Sequence, residues 1–403
     1  MHDVIIIGAG ASGCFLAINL KIKNPKLDVL LLEKNEKLGK KILITGNGRC
    51  NLGNENEDLK NYNSTSKLDD FNTRLKNNNY LTLLNKIGIL TKKEETSSRV
   101  YPYSNQAITV CKSFERALEE NKVSIKYNYD VKKVKKENET FVINDELRCN
   151  KLVIATGGKS YSKTGSTGDG YKILKSFGHK ITDLYPSLTY LKTSYKYIKD
   201  LAGVRVNGLV KLVIDEKEKL CETGQIQFTK DSLSGICIFN LSRNVSKYIK
   251  ENKNVNVVAD IMPEYKVLEL ENYLLQFSNY KIEDALSCMI NNKISVVITR
   301  ELNIHGKKVC NLNHDQINKV CFKLKNMKFK ITSVGDFESA QVTNGGAYLK
   351  EFTPFLESKL VPNLYSVGEV LDVDGKCGGY NLSWAFNSAL IVAEKIVIMY
   401  LKK

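Results

Sequence analysis

Three glycines near the N-terminus have the spacing of a phosphate-binding turn. Gly8, Gly10 and Gly13 follow a short β-branched apolar run, and an apolar helix pattern begins at once after them. The first glycine permits the sharp turn, the second lets the backbone approach a pyrophosphate, and the third lets helix and strand pack closely. Glu33 ends the next apolar run, at the distance where an acid accepts a hydrogen bond from a ribose hydroxyl. These residues predict dinucleotide binding rather than a turn that holds no ligand.

The elements that must position these residues form a β-α-β start followed by a meander of strands. Helical periodicity appears over 71–89. Alternating apolar residues predict strands over 124–134 and 140–143, and a further strand over 149–155 stops at Thr156-Gly157. This order is typical of flavoproteins with two dinucleotide-binding domains, in which the Ala-Thr-Gly segment returns to the cofactor. Near the other end, the strand pattern from Val361 stops at Gly368-Glu369, the usual second contact of a flavin dinucleotide.

Between these cofactor segments the sequence changes character. Strand-like alternation dominates residues 187–262, and helical periodicity dominates residues 263–336, without a second G-x-G-x-x-G. We therefore predict an α/β protein with a doubly wound, Rossmann-like FAD-binding domain formed by residues 1–186 and 337–403. A β-rich, barrel-like insertion over 187–262 and a small helical insertion over 263–336 would interrupt this domain.

The composition describes an ordinary soluble globular chain. No apolar run reaches the ~18 residues of a membrane span, and polar residues interrupt the apolar segment 382–401, so we expect a core helix there. Ten scattered cysteines without C-x-x-C, and only four histidines, argue against a metal site and suit a reducing cytoplasm. We expect His179, His305 and His314 on the surface or in loops.

The net charge of +16 raises nucleic acid as a partner. Lysines account for most of the excess, and acids are interleaved among them, as around Lys132–Lys136. We therefore interpret the charge as a lysine-biased composition on solvated faces. We expect a small-molecule substrate, no nucleic acid and no membrane as partners, and the sequence does not indicate an oligomeric state.

Four long motifs give the chain a more specific likeness. They are Lys40–Asn51, Ala155–Tyr171, Val342–Gly346 and Gly368–Leu382, and with them the chain resembles the YhiN/BaiN-like flavoproteins. It departs from the family pattern at Gly53 and Cys377, where threonine is common, and at Ala389, where glycine is common. The resemblance implies an FAD domain interrupted by a β-rich and a small helical subdomain.

The glycine fingerprint and the resemblance together imply a set of FAD-binding residues. In this family the segment Thr45–Asn51 is expected against the isoalloxazine ring, and the start of the final helix is expected to face the flavin O2, where negative charge gathers. The amides of Asn51 and Asn381 are expected at the flavin edges. The full set is Gly8, Gly10, Ala11, Ser12, Gly13, Glu33, Lys34, Lys41, Thr45, Gly46, Arg49, Cys50, Asn51, Val131, Ala155, Thr156, Gly157, Gly368, Glu369, Asp372, Gly379, Tyr380, Asn381 and Leu382.

Arg49, Cys50 and Tyr380 are the candidate catalytic residues. Arg49 would stabilise negative charge on the reduced flavin or on a substrate enolate, or else forms a structural salt bridge. Cys50 is a redox thiol if its pKa is lowered, and otherwise a small buried thiol. Tyr380 is a candidate proton donor, and so are three other tyrosines, namely Tyr101, Tyr103 and Tyr161.

The resemblance implies two activities that both use the flavin. One reduces conjugated enones in steroid rings, with NADH or NADPH as a transient co-substrate, and the other oxidises small amino ketones. Because no second Rossmann motif occurs, the nicotinamide would bind over the flavin. A tRNA-modifying FAD protein and a non-catalytic FAD-binding sensor stay open as alternatives.

Overall fold

The computed structural model describes residues 1–77, 80–95 and 97–401, and the chain divides into two compact units. The first unit combines Met1–Tyr185 with Gln341–Lys403, and the second is Pro186–Ala340. The second unit is therefore one continuous segment, whereas the first is built from two. The division of the second unit into separate β-rich and helical subdomains stays a prediction.

The first segment of unit 1 alternates short strands and helices. Its strands are β1 (His2–Ile7), β2 (Val29–Leu32), β3 (Gly53–Asn54), β4 (Tyr62–Asn63), β5 (Thr91–Lys93), β6 (Arg99–Pro102), β7 (Ser124–Lys126), β8 (Val134–Glu137), β9 (Thr140–Ile143) and β10 (Leu147–Ile154), and β11 (Tyr185–Ser187) lies at the division between the units. Its helices are α1 (Ala11–Lys23), α2 (Asp69–Asn77), α3 (Tyr80–Lys86), α4 (Ala107–Glu120) and α5 (Asp169–Ser176).

Unit 2 contains a closed barrel with helices in its connections. The strands are β12 (Leu191–Thr193), β13 (Arg205–Ile214), β14 (Lys217–Phe228), β15 (Ser232–Ser234), β16 (Val255–Asp260) and β17 (Met327–Val334). They close in the order β12-β15-β14-β13-β16-β17. The helices are α6 (Ile236–Ser242), α7 (Val245–Lys250), α8 (Val267–Leu275), α9 (Ile282–Ser287), α10 (Asn292–Glu301) and α11 (His314–Lys325). Phe228 and Phe329 are buried in the apolar core of this unit.

The second segment of unit 1 adds β18 (Val342–Asn344), β19 (Leu364–Ser366), β20 (Asp374–Gly375) and α12 (Tyr380–Leu401). By length and composition α12 could cross a membrane, but 72% of its apolar window is buried inside the unit. Phe386 of α12 packs edge-on against Phe15 of α1, with ring centroids 5.0 Å apart. The helix therefore covers the sheet as part of the core, as apolar side chains on all sides require.

The main sheet has the order β7-β2-β1-β10-β9-β8, and β19 also pairs with β10. The strands β7, β2, β1, β10 and β19 run parallel, and β9 and β8 form an antiparallel extension. The central parallel strands β1 and β2 read as nearly continuous apolar runs because both faces of such a sheet are covered. The predicted fold class, an α/β protein with a Rossmann-like domain and a β-rich region, is confirmed.

Two predicted elements were wrong in their extent. The strand expected over 124–134 ends at Lys126, because Asn128 adopts a left-handed φ of +54° and the side chain of Asn144 accepts hydrogen bonds from the N–H groups of Lys132 and Lys133. The helical periodicity over 71–89 corresponds to two helices, α2 and α3, and residues 78–79 between them lie outside the described residues.

Candidate cofactor site

The predicted cofactor residues meet at one edge of the main sheet. The strands β1, β2, β10 and β19 end at Ile7, Leu32, Ile154 and Ser366, and they are parallel neighbours. Gly8, Glu33 and Ala155 directly follow the first three of these ends, and Gly368 lies just beyond the fourth, so residues from distant parts of the sequence meet at one edge. Ligands of doubly wound proteins bind in the crevice outside the carboxyl ends of the strands. The fold therefore brings the four separate motifs to the expected place.

The three fingerprint glycines are constrained in different ways. Gly8 has a φ of +106°, and a Cβ there would lie 2.5 Å from the carbonyl oxygen of Ala155. A Cβ on Gly13 would lie 1.9 Å from the carbonyl oxygen of Gly8. A Cβ on Gly10 would meet no protein atom within 4 Å. Close packing against the protein thus requires glycine at the first and third positions. The second glycine faces open space that a ligand can occupy.

The start of α1 offers hydrogen-bond donors toward this space. No side chain caps the helix at Gly10, and the N–H of Cys14 is the first to bond back into the turn, to the carbonyl of Gly10. The preceding N–H groups, together with the helix dipole, form an anion site. Open space at Gly10 and uncapped donors behind it fit the pyrophosphate of FAD.

Glu33 lies beside this turn and is nearly buried. Its carboxylate accepts a hydrogen bond from the Ala9 N–H at 2.9 Å, and it also accepts from the backbone and side-chain amide of Asn35 at 2.9 and 2.6 Å. These bonds fix the carboxylate at the end of β2, next to the phosphate-binding turn. Its remaining acceptor capacity suits a ribose hydroxyl.

Two predicted lysines bind carboxylates of the protein. Lys34 donates to Thr167 at 2.7 Å and to Asp169 at 2.9 Å, and so ties the end of β2 to the loop before α5. Lys41 donates to Ser160 and to Glu369, both at 2.9 Å. Glu369 also accepts from the Thr343 N–H at 2.8 Å.

The Lys41–Glu369 pair, with its partners Ser160 and Thr343, therefore joins all four family motifs. Ser160 and Thr343, which complete this network, were not predicted. Hydroxyls are too common to be selected by spacing alone.

The loop from Ile42 to Gly48 is a tight turn whose backbone reverses direction at Gly46 and Asn47, both in the left-handed region. The hydroxyl of Thr45 donates to the carbonyl of Ile42 at 2.7 Å. Cys50 has a φ of +59°, which is strained for a residue with a Cβ. Strain of this kind concentrates where the backbone must hold a ligand.

Cys50 has the surroundings of an inert thiol. Its side chain is buried, and burial raises the pKa of the thiol to about 12, opposed by a hydrogen bond with Thr45. A redox role needs a lowered pKa and access, and Cys50 has neither. The geometry supports the other interpretation, a small buried thiol.

Arg49 follows the same turn, and its guanidinium is held on two sides. It donates to the hydroxyl of Tyr101 at 2.9 Å and lies 4.1 Å from the centre of that ring, and it is 3.4 Å from a carboxylate oxygen of Glu94. Its side chain is 43% exposed. Arg49 therefore forms the structural salt bridge of one interpretation. Because its guanidinium is still partly exposed, it is also available for the other interpretation, stabilisation of negative charge on a ligand.

The two amides predicted at the flavin edges bind backbone groups instead. Asn51 donates to the carbonyls of Gly53 (2.9 Å) and Val100 (3.1 Å) and accepts from the Gly379 N–H (3.0 Å). Asn381 bonds both the N–H and the carbonyl of Gly375, at 2.8 and 2.9 Å. They position the loop and the start of α12, rather than offering free amides to a ligand.

The start of α12 is shaped by two left-handed glycines, Gly378 (φ +138°) and Gly379 (φ +101°). A Cβ on Gly379 would lie 2.2 Å from the carbonyl of Gly53, so the loop and the helix touch here. Tyr380 is buried, with its ring 5.8 Å from that of Tyr62, and Leu382 packs against the core. Tyr380 thus has the contacts of a packing aromatic.

The remaining predicted residues lie around the crevice or behind it. Thr156 and Gly157 continue from β10, Val131 is buried in the core, and Ser12 packs against Gly368, where a Cβ would lie 2.8 Å from its hydroxyl. Asp372 is buried behind the crevice, and its carboxylate accepts from the N–H (3.0 Å) and the hydroxyl of Thr65. Burial raises the pKa of Asp372 to about 6, helped by the nearby Asp374 and opposed by the bonds from Thr65.

A second, half-buried carboxyl was not predicted. Glu57 accepts a hydrogen bond from Tyr62 at 2.8 Å and another from Ser383 in the first turn of α12. Burial raises the pKa of Glu57, and these bonds lower it. Glu57 belongs to a polar, Asn-rich stretch without periodicity, so no sequence signal could single it out.

His179 was predicted on the surface or in a loop, and it lies in the loop after α5 but not on the surface. Its ring is buried, stacks on Phe352 at 4.6 Å, and bonds Glu351 (2.9 Å) and Ser358 (2.8 Å). Burial lowers the pKa of His179, and Glu351 raises it. A lone histidine in a loop between a helix and a strand carries no pattern that would reveal such partners.

Comparison with known proteins finds similarity over almost the whole chain. The family model described as the HI0933-like protein Rossmann domain matches residues 2–395. A curated 3-dehydro-bile acid delta(4,6)-reductase of Clostridium scindens is 32% identical, over 98% of both chains. A ribosomal RNA dihydrouridine synthase of Escherichia coli is 28% identical, again over 98% of both chains, and the one of Haemophilus influenzae is 26% identical.

Among solved structures, the 3-ketosteroid delta1-dehydrogenase of Sterolibacterium denitrificans has a TM-score of 0.50 at 11% sequence identity, and the alignment covers 99% of both chains. At this identity the likeness concerns the fold.

Proposed function

Because the chain belongs to the HI0933-like Rossmann-domain family and is an FAD-dependent oxidoreductase, we propose that it reduces a carbon–carbon double bond conjugated with a carbonyl group. The observation that carries this proposal is the full-length similarity to a 3-dehydro-bile acid delta(4,6)-reductase. The name of this relative describes double bonds that are conjugated with a 3-keto group. Dihydrouridine synthesis has the same logic, since it saturates the uracil double bond that is conjugated with a ring carbonyl. One reaction class thus covers both kinds of relative.

The residues of the crevice fit this chemistry. FAD supplies hydride transfer when bound, and the start of α1 and Glu33 would hold its pyrophosphate and ribose. As hydride reaches the β-carbon of a conjugated carbonyl, negative charge moves to the carbonyl oxygen. Arg49, the exposed cation beside the Thr45–Asn51 turn, is the residue suited to stabilise that oxygen.

NADH or NADPH is the proposed source of the hydride. The sequence contains one G-x-G-x-x-G, and FAD occupies it in this proposal. The nicotinamide would therefore bind transiently at the same crevice and leave before the substrate enters. This order predicts that flavin reduction and flavin reoxidation can be observed as separate half-reactions.

A base in RNA is a second candidate substrate. Two curated relatives that match almost the whole chain are ribosomal RNA dihydrouridine synthases, and the present chain carries a net charge of +16. Such a charge favours contact with phosphate backbones. An RNA substrate would differ from the expectation, drawn from the sequence, that nucleic acid is not a partner. The bond to be reduced would still be a carbon–carbon double bond conjugated with a carbonyl group.

The test is an anaerobic stopped-flow experiment in two steps. The purified holoprotein is mixed with NADH or NADPH and flavin bleaching is followed, and the reduced protein is then mixed with a steroid enone, with ribosomal RNA or with air. Recovery of flavin absorbance that depends on the enone or the RNA supports the proposal and selects the substrate. Recovery with oxygen alone, or no bleaching with either nicotinamide, contradicts it.

A further inference from the structure

The guanidinium of Arg49 is fixed before any ligand arrives. One terminal nitrogen donates to the hydroxyl of Tyr101, and the other faces Glu94. Glu94 is itself held by the hydroxyl of Ser97 at 2.5 Å and by its own backbone N–H, which donates to the carbonyl of Arg99. The hydrogen bonds from Ser97 and Arg49 lower the pKa of Glu94, so that it stays an anion. Arginine has five N–H donors, and this arrangement leaves several of them for a ligand.

Tyr101 supplies the flat face on which the guanidinium rests. It lies on β6, where it pairs with Lys92 of β5, and its ring also lies near the left-handed Gly46, where a Cβ would be 3.5 Å from the ring. The side chain is buried, so its hydroxyl is covered by Arg49 rather than open to a substrate. Tyr103, two residues along, is 63% exposed, and a lysine rather than Arg49 faces its ring.

We infer that Tyr101 is a positioning residue of the reductase, which together with Glu94 holds Arg49 ready to bind the carbonyl oxygen of the substrate. This inference rests on the proposed function. It also removes the candidate tyrosines from proton transfer, because burial prevents Tyr101 from giving its proton to a substrate and water, rather than Tyr103, supplies the proton in the reaction we propose. Tyr101 acts through Arg49, by a hydrogen bond and by contact between cation and ring.

Arg49 acts while hydride is transferred to a conjugated carbonyl compound. Hydride, delivered through FAD from NADH or NADPH, forms a C–H bond at the β-carbon, and the electron pair of the double bond moves to form an enolate. The guanidinium binds the enolate oxygen. A proton from water then reaches the α-carbon, and the carbonyl is restored. Preorganised donors stabilise such an oxygen most effectively because they need not reorganise during the step.

The first experiment compares Tyr101→Phe with Tyr103→Phe in the FAD-loaded protein, using 2-cyclohexen-1-one as the probe. The reduced wild-type protein is mixed with the enone, and reoxidation is followed. Loss of one hydrogen bond to a charged group in Tyr101→Phe should slow this step about 5–50-fold. Flavin reduction by the nicotinamide and reoxidation by ferricyanide, which has no carbonyl, should be unchanged. Tyr103→Phe should behave like wild type in all three assays.

The second experiment tests the preformed site directly by chemical rescue. In Arg49→Ala, millimolar guanidinium ion should restore part of the enone-dependent rate, and it should not do so in the double variant Arg49→Ala/Tyr101→Phe. Equal rescue of both variants, or equal enone rates for Tyr101→Phe and Tyr103→Phe, would overturn the inference about Tyr101.

The failure of the proposed function looks different. In that case the wild-type protein itself neither reduces cyclohexenone nor shows a perturbed flavin spectrum when the enone is titrated into the oxidised form. If the enone perturbs the spectrum without turnover, the dissociation constant of that complex becomes the readout. It should rise in Tyr101→Phe and not in Tyr103→Phe.

Discussion

Gly10→Ala should separate FAD binding from folding. Gly10 has φ −82° and ψ −167°, a conformation open to any residue, and a Cβ there meets no protein atom within 4 Å. The methyl group would instead project into the open space that we assign to the pyrophosphate. The folded apoprotein should therefore form normally, with a cost at the helix cap of about 1 kcal/mol or less.

The expected loss of affinity follows from the donors at the start of α1. A pyrophosphate displaced by a methyl group loses about two hydrogen bonds between a phosphate anion and backbone N–H groups. At about 1.5–3 kcal/mol for each bond to a charged group, the loss is about 3–6 kcal/mol. This corresponds to a dissociation constant for FAD that is about 10²–10⁴-fold higher.

The assay is a fluorescence titration of apoprotein with FAD, paired with thermal unfolding of the apoprotein. Gly13→Ala is the contrasting variant, because its Cβ would lie 1.9 Å from the carbonyl of Gly8 and should lower the unfolding temperature of the apoprotein itself. A Gly10→Ala protein that purifies yellow and saturated with flavin would refute the pyrophosphate assignment. Equal destabilisation of both apoproteins would refute the distinction between packing and ligand space.

Glu33→Ala should weaken FAD binding by about 1–3 kcal/mol in the same titration, and unchanged affinity would mean that the carboxylate serves the protein alone. Asp372 has a folded-state pKa of about 6, above its unfolded value near 4, so the folded protein retains a proton that the unfolded chain has lost. The proton that Asp372 retains should therefore make wild-type stability in urea fall by about 2 kcal/mol as the pH rises from 4 to 6, and Asp372→Asn should not show this share of the fall. Gly53→Ala should destabilise the protein because its Cβ would lie 1.8 Å from the hydroxyl of Tyr80, and Tyr80→Phe should recover part of the loss in a double-mutant cycle of unfolding free energies. Cys50, buried and with a pKa of about 12, should resist alkylation in the native protein while exposed cysteines react, and rapid labelling mapped to Cys50 by mass spectrometry would contradict its placement.

The sequence was sufficient where a function needs local geometry. The turn after β1 requires glycines at fixed spacing, and the acid at the end of β2 follows at a fixed distance, so both are readable from nearby residues. The sequence also predicts a split cofactor domain, because apolar parallel strands differ in pattern from the alternating strands between them. These signals depend on backbone conformation and periodicity, which are properties of short segments.

Side-chain partners were not readable in the same way. Arg49 and Tyr101 are 52 residues apart and meet only because β6 passes beside the turn. Asn51 and Asn381 have the chemistry to bind a flavin edge, yet each forms hydrogen bonds with backbone groups of the protein. The choice among possible partners depends on tertiary distances, which spacing along the chain does not contain. Burial of His179 and Glu57 has the same origin.

The two-segment construction of unit 1 has a consequence for synthesis on the ribosome. When β10 first emerges, the strand that will pair with its free edge, β19, and the helix that will cover α1, α12, lie about 200 residues further along the chain. The continuous unit 2 can fold in the meantime, whereas the earlier segment must wait with an unpaired strand edge and an apolar helix face exposed to water. Chains arrested before residue 364 should therefore depend on chaperones and fail to capture FAD, so that acquisition of yellow colour marks the last step of maturation.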